Sequence, residues 1–145
     1  MSFRVRLRDV LRVKESPHRI ALAFSTGVFI GISPFLGLHT LLGVTVAWAF
    51  RLNTFAVITG LYITNPWTAV PIYTFSTWVG TQCLGIEQII PKIDWSHITL
   101  SHLLNSIRLL VMPFLFGTLL VGTLTASMSY IIMYMASKKL NALPQ

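Results

Sequence analysis

The sequence predicts an all-α membrane protein. We expect two proline-broken helical hairpins, each re-entrant or discontinuous, together with a C-terminal transmembrane helix and an N-terminal amphipathic helix. Three observations lead to this fold class. The 145 residues are 54% hydrophobic and 10% charged, whereas a soluble domain has about 25% charged residues. Two apolar segments, 20–50 and 52–86, contain no Asp, Glu, Lys or Arg, and each has a proline near its middle. A further uncharged stretch follows at 109–137.

The two broken segments have lengths that fit neither one membrane crossing nor two. They contain 31 and 35 residues, whereas one helical crossing takes about 20 and a hairpin about 40. The breaks are Ser33-Pro34 and Asn65-Pro66. Proline removes a backbone donor and disfavours helical geometry in the residue before it. Such a break persists in lipid only where protein or a water-filled cavity shields the freed carbonyls. The alternative is two kinked spanning helices that pack for structure alone.

We expect one membrane domain over 1–145. Its predicted parts are an amphipathic basic helix at 1–16, a first broken segment at 17–51, a second at 52–86, a polar link at 87–108 and a transmembrane helix at 109–137. Both ends carry basic residues, so the positive-inside rule places both in the cytoplasm. The second segment is then predicted to cross the membrane completely, which places 87–108 on the side of the membrane away from the cytoplasm.

The net charge of +7 is concentrated near the N-terminus. Six of the eleven basic residues lie in the first nineteen positions: Arg4, Arg6, Arg8, Arg12, Lys14 and Arg19. A basic cluster can neutralise nucleic-acid phosphates, but this one adjoins a membrane segment, so anionic lipid is the expected partner and nucleic acid is not. The alternative is that these cations only enforce the positive-inside rule.

The first break is predicted to reverse the chain and restart a helix. Gly37 can adopt a positive φ, and the helix that restarts after Pro34 carries His39 and Thr40 in its first turn. The half after the break ends at Trp48, Phe50 and Arg51, where interfacial aromatic residues are followed by a cation. Before the break, Gly27 and Gly31 form a G-x-x-x-G pair that permits close helix contact.

Arg51 is the only basic residue between Arg19 and Lys92. Because an arginine at the bilayer centre costs about 2.5–3.5 kcal/mol, we expect it at an interface. One interpretation is a simple cytoplasmic turn in which Asn53 caps the helix that begins at Thr54. The other is that Arg51 holds an anionic headgroup at the mouth of a groove. The sequence favours neither.

The second break contains several polar groups in an apolar stretch. Asn65 can cap the half-helix that begins at Pro66, and Thr68 can bond a freed carbonyl. Pro71 follows so closely that we expect no regular helix between the two prolines. Tyr73 adds an amphipathic aromatic side chain.

Catalysis is not expected. General acid–base or metal-assisted chemistry needs clustered carboxylates or histidines, and all four acidic residues, Asp9, Glu15, Glu87 and Asp94, lie outside the broken segments. His97 and His102 are five residues apart, which does not place them on one helical face. We therefore predict no catalytic residue, no metal and no cofactor.

The residues quoted above resemble a known bacterial membrane family. The pattern G27-x-x-x-G31-x-x-P34-x-x-G37-x-H39-T40, then R51-L52-N53, then N65-P66-W67-T68-x-x-P71-x-Y73, is similar to the domain of unknown function 2062, over roughly 17–85. Where Trp67 stands, that family usually has a smaller aliphatic residue. The resemblance implies a bacterial inner-membrane protein, and some relatives look like fusions to glycosyltransferase domains. It implies no reaction.

The leading hypothesis is a multi-pass protein that binds or translocates an anionic lipid or lipid-linked phosphate in the cell envelope. Half-helix N-termini after the two breaks would direct backbone N–H groups at a phosphate. The predicted ligand-binding residues are Pro34, Gly37, His39, Thr40, Arg51, Asn53, Asn65, Pro66, Thr68 and Tyr73. One alternative is a structural module that anchors an envelope glycosyltransferase or forms a homo-oligomer through its glycine faces. Another is a small-solute or ion channel.

Overall fold

A computed structural model describes residues 15–35, 37–86 and 100–141. These residues form five α-helices and no strand: α1 (Pro17–Ile32), α2 (His39–Ala49), α3 (Thr54–Leu61), α4 (Pro66–Leu84) and α5 (Leu100–Asn141). The all-helical prediction is confirmed for this part of the chain. The predicted amphipathic helix at 1–16 lies almost entirely outside the described residues, and so does most of the polar link.

Three of the helices begin at residues whose side chains cap them. The Ser16 hydroxyl accepts a hydrogen bond from the Arg19 N–H, and Pro17 occupies the first turn of α1. The Asn53 side chain accepts from the Ala56 N–H at 3.1 Å at the start of α3. At the start of α4, Asn65 forms a reciprocal capping box with Thr68. Each cap bonds an N–H group that has no partner within its own helix.

The first break lies where the sequence predicts it. α1 ends at Ile32, and Pro34 follows in the connection to α2. Pro34 has no N–H group to donate to the Ile30 carbonyl. The Ser33 hydroxyl donates to that carbonyl instead, at 2.6 Å. Gly37 has a φ of 86°, which permits the reversal of the chain.

Pro71 does not interrupt α4, and the expectation that no regular helix forms between the two prolines is wrong. The helix runs unbroken from Pro66 to Leu84 with Pro71 inside it. Proline at this position removes one bond, the one to the Trp67 carbonyl, and its fixed φ suits a helix. The capping box immediately upstream and the packing of α4 on α5 outweigh that single loss.

The last helix is longer than predicted. It begins at Leu100 rather than at 109, so residues 100–108 of the predicted polar link belong to α5. No glycine or proline occurs between Leu100 and Pro113, and polar residues are compatible with a helix that extends beyond an apolar region. The stretch Ile107–Leu140 is long and apolar enough to cross a membrane. Pro113 is buried inside the helix without ending it.

Glycines hold α1 against α3 and α4 against α5. A Cβ on Gly27 would lie 2.0 Å from the Val57 carbonyl oxygen, and one on Gly60 would lie 2.1 Å from the Phe24 carbonyl oxygen. On the other pair, a Cβ on Gly117 would lie 1.7 Å from the Ser76 carbonyl oxygen. The helix backbones are therefore in direct contact at both places, as small residues allow.

The contacts define the directions of the helices. Gly27 faces Val57 and Gly31 faces Leu61, so α1 and α3 run parallel. α5 runs antiparallel to α1, because His18 near the start of α1 contacts Tyr130 and Ile32 at its end contacts Gly122. The start of α1, the turn between α2 and α3, and the C-terminal part of α5 therefore lie toward one end of the helices.

Candidate functional site

The structure places the predicted ligand-binding residues in two separate groups. Arg51 and Asn53 lie in the turn before α3, at the end where α1 begins. The others lie around the two breaks: Pro34, Gly37, His39, Thr40, Asn65, Pro66, Thr68 and Tyr73. Along the chain, α2 separates the first break from this turn and α3 separates the second break from it. The 8 residues of α3 rise by about 12 Å. The ten residues do not form one site.

The two breaks themselves contact each other. A Cβ on Gly31, at the end of α1, would lie 3.2 Å from the Thr64 hydroxyl oxygen, just before the second break. The Tyr73 hydroxyl reaches the Gly31 and Ser33 carbonyls at 3.4 and 3.3 Å. Its ring packs edge-on against Phe114 of α5, with the ring centroids 5.4 Å apart. Tyr73 thus joins the first break to α4 and α5.

The polar side chains at the second break are bonded to their own backbone. The Asn65 Oδ1 accepts from the N–H groups of Trp67 and Thr68, both at 3.0 Å. The Thr68 hydroxyl donates to the Ile63 carbonyl at 2.8 Å and accepts from the Asn65 N–H at 2.9 Å. The backbone N–H groups of Trp67 and Thr68, which were predicted to bond a phosphate, therefore already have a partner in Asn65. This arrangement stabilises the break.

The N-terminus of α2 lies apart from the N-terminus of α4. Leu38 precedes α2 without a side-chain cap, His39 is half-buried and Thr40 is exposed. Among the described helices, α2 packs against α3 and α1 and makes no contact with α4. The two half-helix N-termini do not converge on one point.

Thr64 has a buried hydroxyl that no other described group bonds. The residue is 9% exposed, and its Oγ1 has no hydrogen-bond partner within the described part of the chain. Its hydroxyl faces Gly31, where α1 leaves no room for a side chain. An unpaired buried hydroxyl costs about 1–3 kcal/mol.

Replacing Thr64 with valine is expected to raise the melting temperature in detergent, since it removes the unpaired hydroxyl and keeps the shape of the side chain. The gain in the free energy of unfolding should be about 1–3 kcal/mol. Thr118→Val is the matched control. Thr118 is 0% exposed, but its hydroxyl donates to the Phe114 carbonyl at 2.7 Å, so this change should leave stability unchanged or lower it. A Thr64→Val protein that melts at or below the wild-type temperature contradicts the prediction.

Arg51 occupies an unusual backbone conformation in the turn between α2 and α3. Its φ is 50°, the only positive value at a non-glycine residue in the described part of the chain. The conformation is held by the Leu52 N–H, which bonds the Ala47 carbonyl at 2.8 Å, and by the cap at Asn53. The Arg51 carbonyl accepts a hydrogen bond from Arg19 Nη2 at 2.6 Å. Hydrogen bonds thus hold the backbone of the turn at Arg51 and after it. The Arg51 side chain is exposed.

Beside this turn lies an open groove of about 600 Å³, which we call the Arg51 groove. It is lined by Val44, Ala47, Trp48, Ala49, Arg51, Leu52 and Thr54. The indole of Trp48 is 82% exposed. The groove thus combines apolar side chains with one exposed cation. The sequence places Arg19 in the N-terminal basic cluster, and its contact with the Arg51 carbonyl was not predicted.

Positive charge dominates the described residues. They contain Arg19, Arg51, Arg108, Lys138 and Lys139, against a single acidic residue, Glu15. Within the same ranges, no group of three His, Cys, Asp or Glu side chains could hold a metal ion.

Comparison with known proteins adds one match. A family model described as "Uncharacterized protein conserved in bacteria (DUF2062)" matches residues 1–143. No curated protein and no solved structure matches the chain.

Proposed function

The chain belongs to this uncharacterized bacterial family, and we propose that it is a non-enzymatic, multi-pass protein of the bacterial inner membrane that binds an anionic lipid in the Arg51 groove. The observation that carries the proposal is the exposed Arg51 at the rim of an apolar groove. Its guanidinium can bond a phosphate while an acyl chain contacts Val44, Trp48 and Leu52.

The surface of the helices supports a lipid environment. Only 22% of the most apolar stretch of α5 is buried, although the helix is long enough to span a bilayer. Large apolar side chains are exposed on other helices too, including Trp67 at 90%. Soluble monomers rarely expose apolar surface on this scale. Because the start of α1 and the turn after α2 lie at the same end, α1 and α2 would form a re-entrant hairpin, and the successive helices α3 and α4 would supply the second crossing.

The charges support an orientation with the Arg51 end in the cytoplasm. Arg19 and Arg51 lie in contact there, and α5 continues past His18 toward Lys138 and Lys139. The positive-inside rule places such an end on the cytoplasmic side. The groove would then open at the inner leaflet, whose anionic lipids attract it.

Native mass spectrometry of the detergent-purified protein tests the proposal. Phosphatidylglycerol should be retained in preference to phosphatidylcholine. Arg51→Gln should lower the retained phosphatidylglycerol about tenfold, the loss that corresponds to one charge-assisted hydrogen bond. Lys138→Gln is the matched control, because it removes the same charge on the exposed surface of α5, outside the groove. Equal losses in the two variants, or equal retention of both lipids by the wild type, would remove the proposal.

The alternatives receive less support. An assembly module that oligomerises through its glycine faces needs those faces free, but Gly27 and Gly60 are used between α1 and α3, and Gly117 is used between α4 and α5. Anchoring of a glycosyltransferase rests on the family resemblance alone. The proposal also stops at binding rather than translocation, because the polar side chains of the second break bond backbone instead of lining a path.

A further inference from the structure

We propose that the Arg51 groove selects a lipid whose head is a phosphomonoester over one whose head is a phosphodiester. This inference rests on the proposed function, since it names the class of anionic lipid that the same groove takes. A phosphomonoester carries close to two negative charges at neutral pH, because its second pKa is about 6, whereas a phosphodiester carries one.

The first argument is that two arginines meet at one turn. The hydrogen bond from Arg19 Nη2 to the Arg51 carbonyl brings the guanidinium of Arg19 to the backbone from which the Arg51 side chain extends. This bond uses one of the five N–H donors of Arg19. The remaining donors, together with those of Arg51, can bond several oxygens of one phosphate.

The second argument is charge balance. Each guanidinium carries one positive charge, and Glu15 is the only acidic side chain among the described residues. A singly charged diester neutralises one of the two guanidinium groups and leaves the other without a counter-charge beside lipid. A monoester with two charges neutralises both. It also presents three terminal oxygens to the donors.

The third argument concerns the source of the phosphate. The side chains that the groove exposes beside the cation are mainly apolar: Val44, Leu52 and the indole of Trp48. A soluble phosphate would leave these side chains without a partner, whereas the upper part of an acyl chain would contact them. We therefore assign the groove to a lipid.

A competition experiment in detergent micelles tests this inference, with labelled phosphatidic acid as the probe. At pH 8, unlabelled phosphatidic acid should displace the probe at a concentration about tenfold lower than phosphatidylglycerol. At pH 5, where the monoester carries about one charge, this preference should disappear. Arg19→Gln should bring the two competitors within about threefold at pH 8, and Arg19→Lys, which keeps the charge, should retain most of the preference. Far-UV circular dichroism would confirm that these variants fold.

The outcomes separate this inference from the proposed function. Equal competition by phosphatidic acid and phosphatidylglycerol at pH 8 overturns the selectivity and leaves anionic-lipid binding intact. Equal competition by phosphatidylcholine overturns the proposed function itself. Displacement by glycerol 3-phosphate at the same concentration as phosphatidic acid overturns the assignment to a lipid. A preference that Arg19→Gln does not reduce overturns the role of the second arginine.

Discussion

Gly117→Ala is expected to separate α4 from α5 and to lower the free energy of unfolding by about 3 kcal/mol or more, at the upper end of overpacking costs. The new Cβ would lie 1.7 Å from the Ser76 carbonyl oxygen and 3.0 Å from the Gly80 nitrogen. Both are backbone atoms, so no side-chain rotation can relieve the overlap. The loss should occur even though alanine favours a helix over glycine by about 1 kcal/mol.

Gly122→Ala on the same helix is the control. A Cβ at that position would meet Ile32 Cγ2 at 3.5 Å, which is an ordinary contact. Because the gain in helix propensity is the same at both positions, the difference between the variants isolates the effect of packing. Thermal unfolding in detergent, followed by circular dichroism, measures it. If Gly117→Ala melts at or above the temperature of Gly122→Ala, the close contact of α4 and α5 is incorrect.

The sequence predicts the interruptions of the helices well, because their causes are local. Pro34 follows the end of α1, Pro66 begins α4, Gly37 has the positive φ expected of it, and Asn53 and Asn65 cap the helices that follow them. Each feature depends on residues within about five positions along the chain. Local dihedral and hydrogen-bond rules therefore suffice.

The partners of each glycine could not be predicted. The G-x-x-x-G pattern predicts a close contact on α1, and that contact exists, but nothing local indicates that α3 provides it. The same limit explains the errors at Pro71 and at the start of α5. Packing of α4 against α5 is a long-range interaction that offsets the bond lost at Pro71.

The candidate site was predicted in part for the same reason. Arg51 stands out because it is a lone cation between two apolar segments. Its neighbour Arg19 comes from 32 positions away and is brought there by the parallel packing of α1 and α3. The sequence also overestimated the polar groups free at the breaks. Asn65 and Thr68 bond the backbone beside the second break. The N–H groups of Trp67 and Thr68 at the start of α4 are therefore already used.

Gly60→Ala is expected to detach α3 from α1 and, with it, the turn that carries Arg51. A Cβ at position 60 would lie 2.1 Å from the Phe24 carbonyl oxygen and 3.1 Å from the Val28 nitrogen. α3 has 8 residues, which rise by about 12 Å against a bilayer core of about 30 Å, so the helix cannot be held in place by spanning the membrane alone. Its position therefore depends on this contact. The expected destabilisation is about 3 kcal/mol, concentrated in α2 and α3.

Hydrogen-exchange mass spectrometry in detergent distinguishes local detachment from global unfolding. Amide exchange over 39–61 should rise in Gly60→Ala, while exchange over 113–130 should stay at the wild-type level, because the contact of α4 with α5 does not involve Gly60. Retention of phosphatidylglycerol should fall together with the protection of 39–61, since the groove is built on α2 and the start of α3.

The matched control for this change is Gly43→Ala. A Cβ at position 43 would lie 2.7 Å from Leu61 Cδ1, the end of a flexible side chain that can move away. Both substitutions add one methyl group to the α1–α2–α3 region, but only the change at Gly60 overlaps backbone. Lipid retention should therefore survive Gly43→Ala and be lost in Gly60→Ala. Equal retention in the two variants would mean that the groove does not depend on the backbone contact between α1 and α3.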